Sequence, residues 1–281
     1  MKVRLVVLLL AAVLLASCQV DAVEPAVAAI TPSPRAVDEA TREAAAATPV
    51  PTWRPTPAPT ARLTPSPVPT ASPTTTPTPS PQKVAFAFDL YEEGDFVPQH
   101  TFEWCVGASI QMAHNLVFAD RRSSYEDQQA LWELARSHST NSFNGANPRG
   151  WATALTAIGV GDYRLVSIPD YGEALRTAAE AIRDTGRPVG LVMWRGRHAW
   201  VMSGFESLGD PALHADFAVT GIRVLDPLYP HGSGIWGPSP EPNRLLTPDE
   251  LAAQFVIREP RRWSSDLPAG YLLVLPTRGR S

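Results

Sequence analysis

Cys105 is the residue of this sequence whose type and setting point most directly to chemistry. The chain contains two cysteines, and the other one, Cys18, ends an apolar leader. Exported proteins usually pair their cysteines or lack them, and Cys105 has no partner once Cys18 carries a lipid, which favours a functional thiol over a buried core cysteine. The reactive form of a cysteine is the thiolate, and a free cysteine has a pKa of about 8.5.

The residues around Cys105 indicate how a thiolate could be stabilised and used. Apolar residues at helical spacing over Trp104 to Val117 predict a helix that begins at or near Cys105. Unpaired N–H groups at a helix N-terminus favour an anion, and a neighbouring imidazolium favours the thiolate further. Acyl transfer also needs two donors for an oxyanion. The backbone N–H of Cys105 could be one donor, and the side-chain amide of Gln99, six residues upstream, is of the right type for the other.

The leader predicts export and lipid attachment. Basic MKVR is followed by the apolar run LVVLLLAAVLLA, which is short for a membrane span. The run ends in LLASC, Leu14–Cys18, which resembles a bacterial lipobox, where cleavage precedes the cysteine and the thiol carries lipid. We therefore predict a lipoprotein signal peptide over residues 1–18. Lipid on Cys18 would anchor an exported protein to the cell membrane, on its extracellular or periplasmic side. An ordinary signal peptide or an anchor helix with an incidental cysteine is the alternative.

Residues 19–82 are predicted to be a disordered stalk. The segment consists mainly of Pro, Thr, Ser and Ala, and proline removes backbone donors and fixes φ, so neither helix nor sheet can propagate. Such a chain favours extended polyproline II. Residues 83–281 remain, which is one domain's worth of chain.

Composition and motif spacing exclude several functions for this domain. The formal net charge is −4 and there is no basic block, so nucleic-acid binding has no support. The sequence contains no CxxC pair and no HExxH, and its histidines are scattered, so no metal site is predicted. Thiol chemistry supplies its own nucleophile, so no cofactor is implied. The oligomeric state stays open.

Cap residues predict further helices after the one at Cys105. Ser124 followed by Asp127 predicts a helix over Tyr125–Ser137. Asn147 and Pro148 predict the start of a third helix, with a stop at Gly159. YGEALRTAAEAIRDTG predicts a fourth helix, ended by Gly186, and TPDE predicts a short fifth one.

Strand patterns are concentrated in the second half. RPVGLVMW, HAWVMSGF and VTGIRVLD are short and rich in valine, and GYLLVL resembles them near the end. A tight turn at Arg195-Gly196-Arg197 joins the first two. Helices first and strands second predict an α+β fold with an antiparallel sheet.

In the order and spacing of these residues and elements, the chain resembles the papain-like cysteine peptidases. In that family a glutamine precedes the catalytic cysteine at the spacing of Gln99 and Cys105, and the cysteine opens a helix. A histidine then begins a strand, and an asparagine or aspartate ends the next one. RHAWVMSGF offers His198, and IRVLDPLYP offers Asp226. The His-Ala-Trp-Val strand and the Asp-Pro pair resemble the bacterial branch near the bacteriocin-processing (double-glycine) peptidases, and the resemblance covers residues 96–275.

The resemblance implies the papain-like fold, with a helical N-terminal half and the nucleophile at a helix N-terminus packed on an antiparallel sheet. It also implies roles: Cys105 as nucleophile, His198 as general base and later acid, Asp226 as the group that orients the imidazole, and Gln99 as the second oxyanion donor. The predicted function is a surface-tethered cysteine peptidase that acts on a peptide or protein substrate. Asn243 is a remote alternative to Asp226.

Other interpretations stay open. The segment WCVGAS differs from the CGSCW or CGP of the family's archetypes, which leaves substrate preference open. A cell-wall amidase or a transglutaminase-like acyl transferase could use the same triad, although WCVGAS lacks the Asp-Cys-Ser-Gly common in cell-wall enzymes. A catalytically inactive papain-like binding module or adhesin is the third possibility. His198 could simply be a satisfied histidine beside Trp200, and Asp226 a turn residue before Pro227.

Overall fold

The sheet and helices that carry the predicted site lie within residues 82–140 and 145–278, which the computed structural model describes. The predicted signal peptide with Cys18, and the predicted stalk up to residue 81, lie outside the described residues. The helices are α1 Cys105–Asn115, α2 Tyr125–Ser137, α3 Pro148–Ala157, α4 Tyr171–Thr185 and α5 Pro248–Ala252, with a 3-10 turn at Arg262–Ser264. None of the helices in the described ranges is long and apolar enough to cross a membrane.

The strands form one large antiparallel sheet and a small ribbon. They are β1 Ala85–Asp89, β2 Tyr163–Ile168, β3 Val189–Met193, β4 His198–Leu208, β5 Ala218–Leu225, β6 Gly232–Ser233, β7 Gly237–Pro238, β8 Arg244–Leu246 and β9 Tyr271–Pro276. The large sheet has the order β2-β9-β3-β4-β5-β8, and β6 pairs only with β7. β1 and β3 lie end to end along one edge of β4, because β3 pairs with its first half and β1 with Gly204 to Leu208.

Helices cover both faces of the sheet. Successive side chains of a strand point to opposite faces, and β4 follows this rule. Ala199 and Val201 pack in the core with residues of α1, α2 and α3. Trp200 and Met202 pack in a second core with residues of α4 and α5. The sheet is therefore buried on both sides, which explains why β3 and most of β4 are buried at every position.

The predicted helix ends are confirmed where a local signal specified them. Ser124 accepts a hydrogen bond from the N–H of Asp127 at the start of α2. Asn147 caps α3, and Pro148 is its first residue. Gly186 ends α4 in the left-handed conformation, with φ of 62°. Thr247 and Glu250 form the full capping box of α5.

The simple order of helices first and strands second is wrong in two places. β1 precedes every helix of the described residues, and β2 lies between α3 and α4. The sequence AFAFD of β1 alternates alanine and phenylalanine, and Phe86 and Phe88 pack against Phe205 of β4. β2 is an edge strand that is fully buried only at its two ends, so its sequence lacks a clear apolar run.

Replacement of Gly190 by alanine should destabilise the fold where the sheet meets α3. A Cβ atom there would lie 2.5 Å from the ring of Trp151, and overpacking of this kind costs about 1–3 kcal/mol. Gly172→Ala is the matched control, because its Cβ would meet nothing closer than Asp170 Oδ1 at 3.4 Å. The free energy of unfolding of each variant is measured by urea denaturation. Equal free energies of unfolding would contradict the close packing of β3 on Trp151.

Candidate active site

The N-terminus of α1 carries Cys105 and has no capping side chain. Trp104 occupies the cap position without a side-chain hydrogen bond, and the first turn contains no acidic residue. The four other α-helices in the described ranges each have a side chain that caps them. The first N–H groups of α1 and the positive end of its dipole are therefore available to a negative group. The Cys105 side chain begins at this point and is half-buried.

His198 and Asp226 meet because their strands are antiparallel neighbours. His198 is the first residue of β4 and Asp226 directly follows β5, so the two lie at the same end of the strand pair. The distance between His198 Nε2 and Asp226 Oδ1 is 2.7 Å. Asp226 Oδ1 also accepts the backbone N–H of Leu228 at 2.9 Å. Both side chains are buried, which holds the carboxylate and imidazole in one arrangement.

The imidazole of His198 also interacts with Cys105. Burial opposes its charged form, but the hydrogen bond to Asp226 and the nearby Cys105 side chain outweigh burial and raise the pKa of His198 to about 9. Because Nε2 is engaged by Asp226, Nδ1 is the ring nitrogen left to face the sulfur. A hydrogen bond joins α1 to β4 nearby, since Ser109 Oγ donates to the carbonyl of Ala199 at 3.4 Å. The structure thus brings together Cys105, His198 and Asp226, as the sequence predicts.

Gln99 is held close to Asp226 through the main chain. Its backbone N–H donates to the carbonyl of Pro227 at 2.8 Å. Its Nε2 donates to the Thr101 carbonyl at 2.9 Å, and its Oε1 is buried without a hydrogen-bond partner. Nε2 keeps a second N–H, but Gln99 is not among the residues that line the cleft at Cys105. Its role as oxyanion donor stays a prediction.

Gln128 of α2 positions the loop around Gln99, and sequence reasoning missed it. It is fully buried, accepts the N–H of His100 at 2.8 Å and donates to the carbonyl of Pro98 at 3.1 Å. These two bonds fix the main chain on both sides of Gln99. The sequence carries no signal for this, because the bonds join residues that lie 28 and 30 positions apart.

Trp194 covers one face of the His198 imidazole. Its ring stacks on the ring of His198, with centroids 4.1 Å apart and planes at 23°. Its φ is 57°, a left-handed value that is uncommon for a bulky residue. Two bonds to Gln254 hold it there, one from the backbone N–H and one from the indole Nε1. An aromatic face over the imidazole favours its charged form.

A cleft of about 370 Å³ opens above the thiol and the imidazole. Cys105 and His198 both line it, and its walls include the apolar side chains of Trp151, Val192 and Leu267. Phe102 lines it as well, with 87% of its surface exposed. The cleft therefore leaves the half-buried Cys105 accessible from outside, whereas His198 and Asp226 behind it are buried.

The other residues considered from the sequence lie elsewhere. Asn243 bonds to Asp89 and Ser203 and does not contact His198. Trp200 is buried in the core on the α4 side of the sheet. Trp104 packs against the rings of Tyr125 and Trp132.

Within the described residues, no group of three or more His, Cys, Asp or Glu side chains is placed to hold a metal ion. Comparison of the chain with protein-family models, with curated proteins and with solved structures finds no match. The geometry of the site is therefore the basis for a proposal about function.

A thiolate–imidazolium pair predicts that iodoacetamide alkylates Cys105 well below pH 7, and that the rate then changes a second time as His198 loses its proton at about pH 9. In His198→Ala, the rate should instead rise once, as a free cysteine ionises at about pH 8.5. Identical profiles for the two proteins would contradict a thiolate–imidazolium pair.

The same group makes stability depend on pH. His198 keeps its proton up to about pH 9 when folded, against 6.5 as its ordinary value. Its charged form therefore stabilises the fold fully below pH 6.5, and this stabilisation is lost as the pH rises through 9. In urea unfolding, the free energy of unfolding of the wild type should fall relative to that of His198→Gln as the pH rises from 6.5 to 9.

Proposed function

We propose that this protein is a thiol hydrolase of the papain-like kind, and that it cleaves peptide bonds. The observation that carries the proposal is the position of His198, which is bonded to the buried Asp226 and lines the same open cleft as Cys105, at an uncapped helix N-terminus. A thiol, an imidazole and a carboxylate in this order are the parts that acyl transfer requires.

The reaction begins at the sulfur. The Cys105 thiolate attacks the carbonyl carbon, and the oxyanion receives the N–H of Cys105 and the free N–H of the Gln99 amide. The His198 imidazolium donates its proton to the leaving nitrogen, so the C–N bond breaks and a thioester remains. Neutral His198 then takes a proton from water, which attacks the thioester. The C–S bond breaks, the acid product leaves, and the thiolate–imidazolium pair is restored.

Asp226 acts through His198 and does not touch the substrate. Its carboxylate fixes the orientation of the imidazole and stabilises the imidazolium. Burial of the carboxylate prevents water from competing for the bond to Nε2. The Trp194 ring covers one face of the imidazole and so contributes to the same shielding.

Hydrolysis of unfolded casein, peptidoglycan fragments and activated esters tests this function. Cys105→Ala should lose all hydrolysis, and Gln99→Ala should lower kcat by about 10²–10³, the effect of removing one oxyanion donor. Gln129→Ala is the matched control, because this half-buried glutamine of α2 donates to Glu133 and does not line the cleft. Full hydrolytic activity in Cys105→Ala would end the proposal.

The substrate panel also separates the related reactions. Cleavage of peptidoglycan fragments but not of casein would identify a cell-wall amidase or peptidase. Incorporation of an amine into casein would identify a transglutaminase-like reaction on the same triad. An inactive binding module would neither cleave these substrates nor form a thioester at Cys105. The opening of Cys105 and of the Asp226-bonded His198 into one cleft favours the enzymes over that module.

We further propose that the domain acts outside the cell, held at a membrane by lipid on Cys18. The support is the lipobox-like LLASC after a short apolar run. In the bacterium that makes it, the protein should partition with membranes, and Cys18→Ala should release it from them. Equal partitioning of the two proteins would contradict lipid attachment at Cys18.

A further inference from the structure

One wall of the cleft carries arginines that have no counterion. Arg197 precedes His198 in the turn between β3 and β4, and Arg261 precedes the 3-10 turn; both line the cleft. Across the described ranges, neither guanidinium has a hydrogen bond or an ion pair. Glu103 is the one acidic side chain among the lining residues, and it belongs to the loop before α1, away from this wall in the sequence.

The arginines of this wall repel one another. Burial lowers the pKa of the half-buried Arg261, and the positive charges of Arg197 and Arg195 lower it further. Glu259 opposes these effects more weakly. A cluster of like charges without ion pairs destabilises the folded state. A negative group bound in the cleft that these arginines share with Cys105 would offset this repulsion.

Arg258 explains how the wall keeps its shape. It is buried and donates to the carbonyls of Ser264, Leu267 and Pro268, so it holds the segment that follows Arg261. The aliphatic part of Arg258 also lies against the turn before His198, since a Cβ at Gly196 would come within 3.0 Å of its Cδ. The two segments that present Arg197 and Arg261 are thus packed on one buried cation, which adds its own positive charge from below.

We propose that Arg197 and Arg261 bind a carboxylate of the substrate, so that the cleft prefers acyl substrates with a carboxylate near the bond that is attacked. This inference rests on the proposed thiol hydrolase function. A guanidinium matches a carboxylate with two parallel hydrogen bonds, and carboxylate is the anion that peptides carry. Binding of such a group would supply the counterion that the wall lacks.

Two alkylating reagents of nearly equal size test this inference without a known substrate. Iodoacetate carries a carboxylate and iodoacetamide does not, and both react with the Cys105 sulfur by displacement of iodide. The rates are measured on the whole protein by mass spectrometry of the peptide that contains Cys105. The ratio of the iodoacetate rate to the iodoacetamide rate cancels any change in the thiolate itself.

The ratio should exceed that of the neutral reference thiol N-acetylcysteine amide in the wild type. It should fall by about fivefold in Arg197→Gln/Arg261→Gln, because two charge contacts at a partly exposed site are lost, and it should fall in the wild type at high salt. Arg262→Gln is the matched control, because this exposed neighbour does not line the cleft. The control should keep the wild-type ratio.

A wild-type ratio equal to that of N-acetylcysteine amide, or an equal fall in the double variant and the control, would overturn the inference. Failure of the proposed function is seen separately, as an iodoacetamide profile without reactivity below pH 7. Protection of Cys105 from iodoacetamide then identifies the source of the carboxylate. Protection by N-acetylaspartate amide indicates an acidic side chain, protection by N-acetylalanine indicates a chain terminus, and protection by neither overturns the inference. N-acetylasparagine amide is the neutral control.

Discussion

The contact between His198 Nε2 and Asp226 Oδ1 is the interaction on which the rest of the site depends. Both groups are buried, and removal of one partner from such a pair costs about 3–5 kcal/mol, because the other is left uncompensated. Burial by itself would keep the imidazole neutral, and the carboxylate and the thiol together reverse that preference. The pair therefore sets the charge that His198 presents to Cys105 and at the same time contributes to the stability of the fold.

The three residues Asp226, Pro227 and Leu228 connect the separate parts of the site. The N–H of Leu228 fixes Asp226 Oδ1, and the carbonyl of Pro227 accepts the N–H of Gln99. The segment that orients the base thus also anchors the loop of the predicted oxyanion donor. A shift of this turn would reach the imidazole and the loop together, which makes the two functions of the site hard to change independently.

Local signals made much of this fold predictable from sequence. Caps such as Ser124 and Asn147 act within three residues. The valine-rich strands are buried on both faces. In both cases the residues of the element itself are enough to predict it. The three residues of the proposed triad were predictable for the same reason, because they lie at a helix start, at a strand start and directly after a strand. Contacts between residues far apart in the sequence could not be predicted. Gln254, 60 positions away, holds Trp194 in place. Gln128 bonds to the loop at Gln99 across 28 and 30 positions. The edge strand β2 was not predicted, because a partly buried strand shows no clear apolar period in its sequence.

The end-to-end arrangement of β1 and β3 along β4 has a mechanical consequence. The described chain enters the domain at β1, beside Leu208, whereas His198 lies at the opposite end of β4, roughly 33 Å away at the rise of an extended strand. A pulling force along β1 from that entry point would load all five residue pairs with β4 in shear at once. The loaded pairs end at Gly204, so the half of β4 that begins at His198 lies beyond them, and a pull on β1 would deform the cleft less than it strains the β1–β4 pairs.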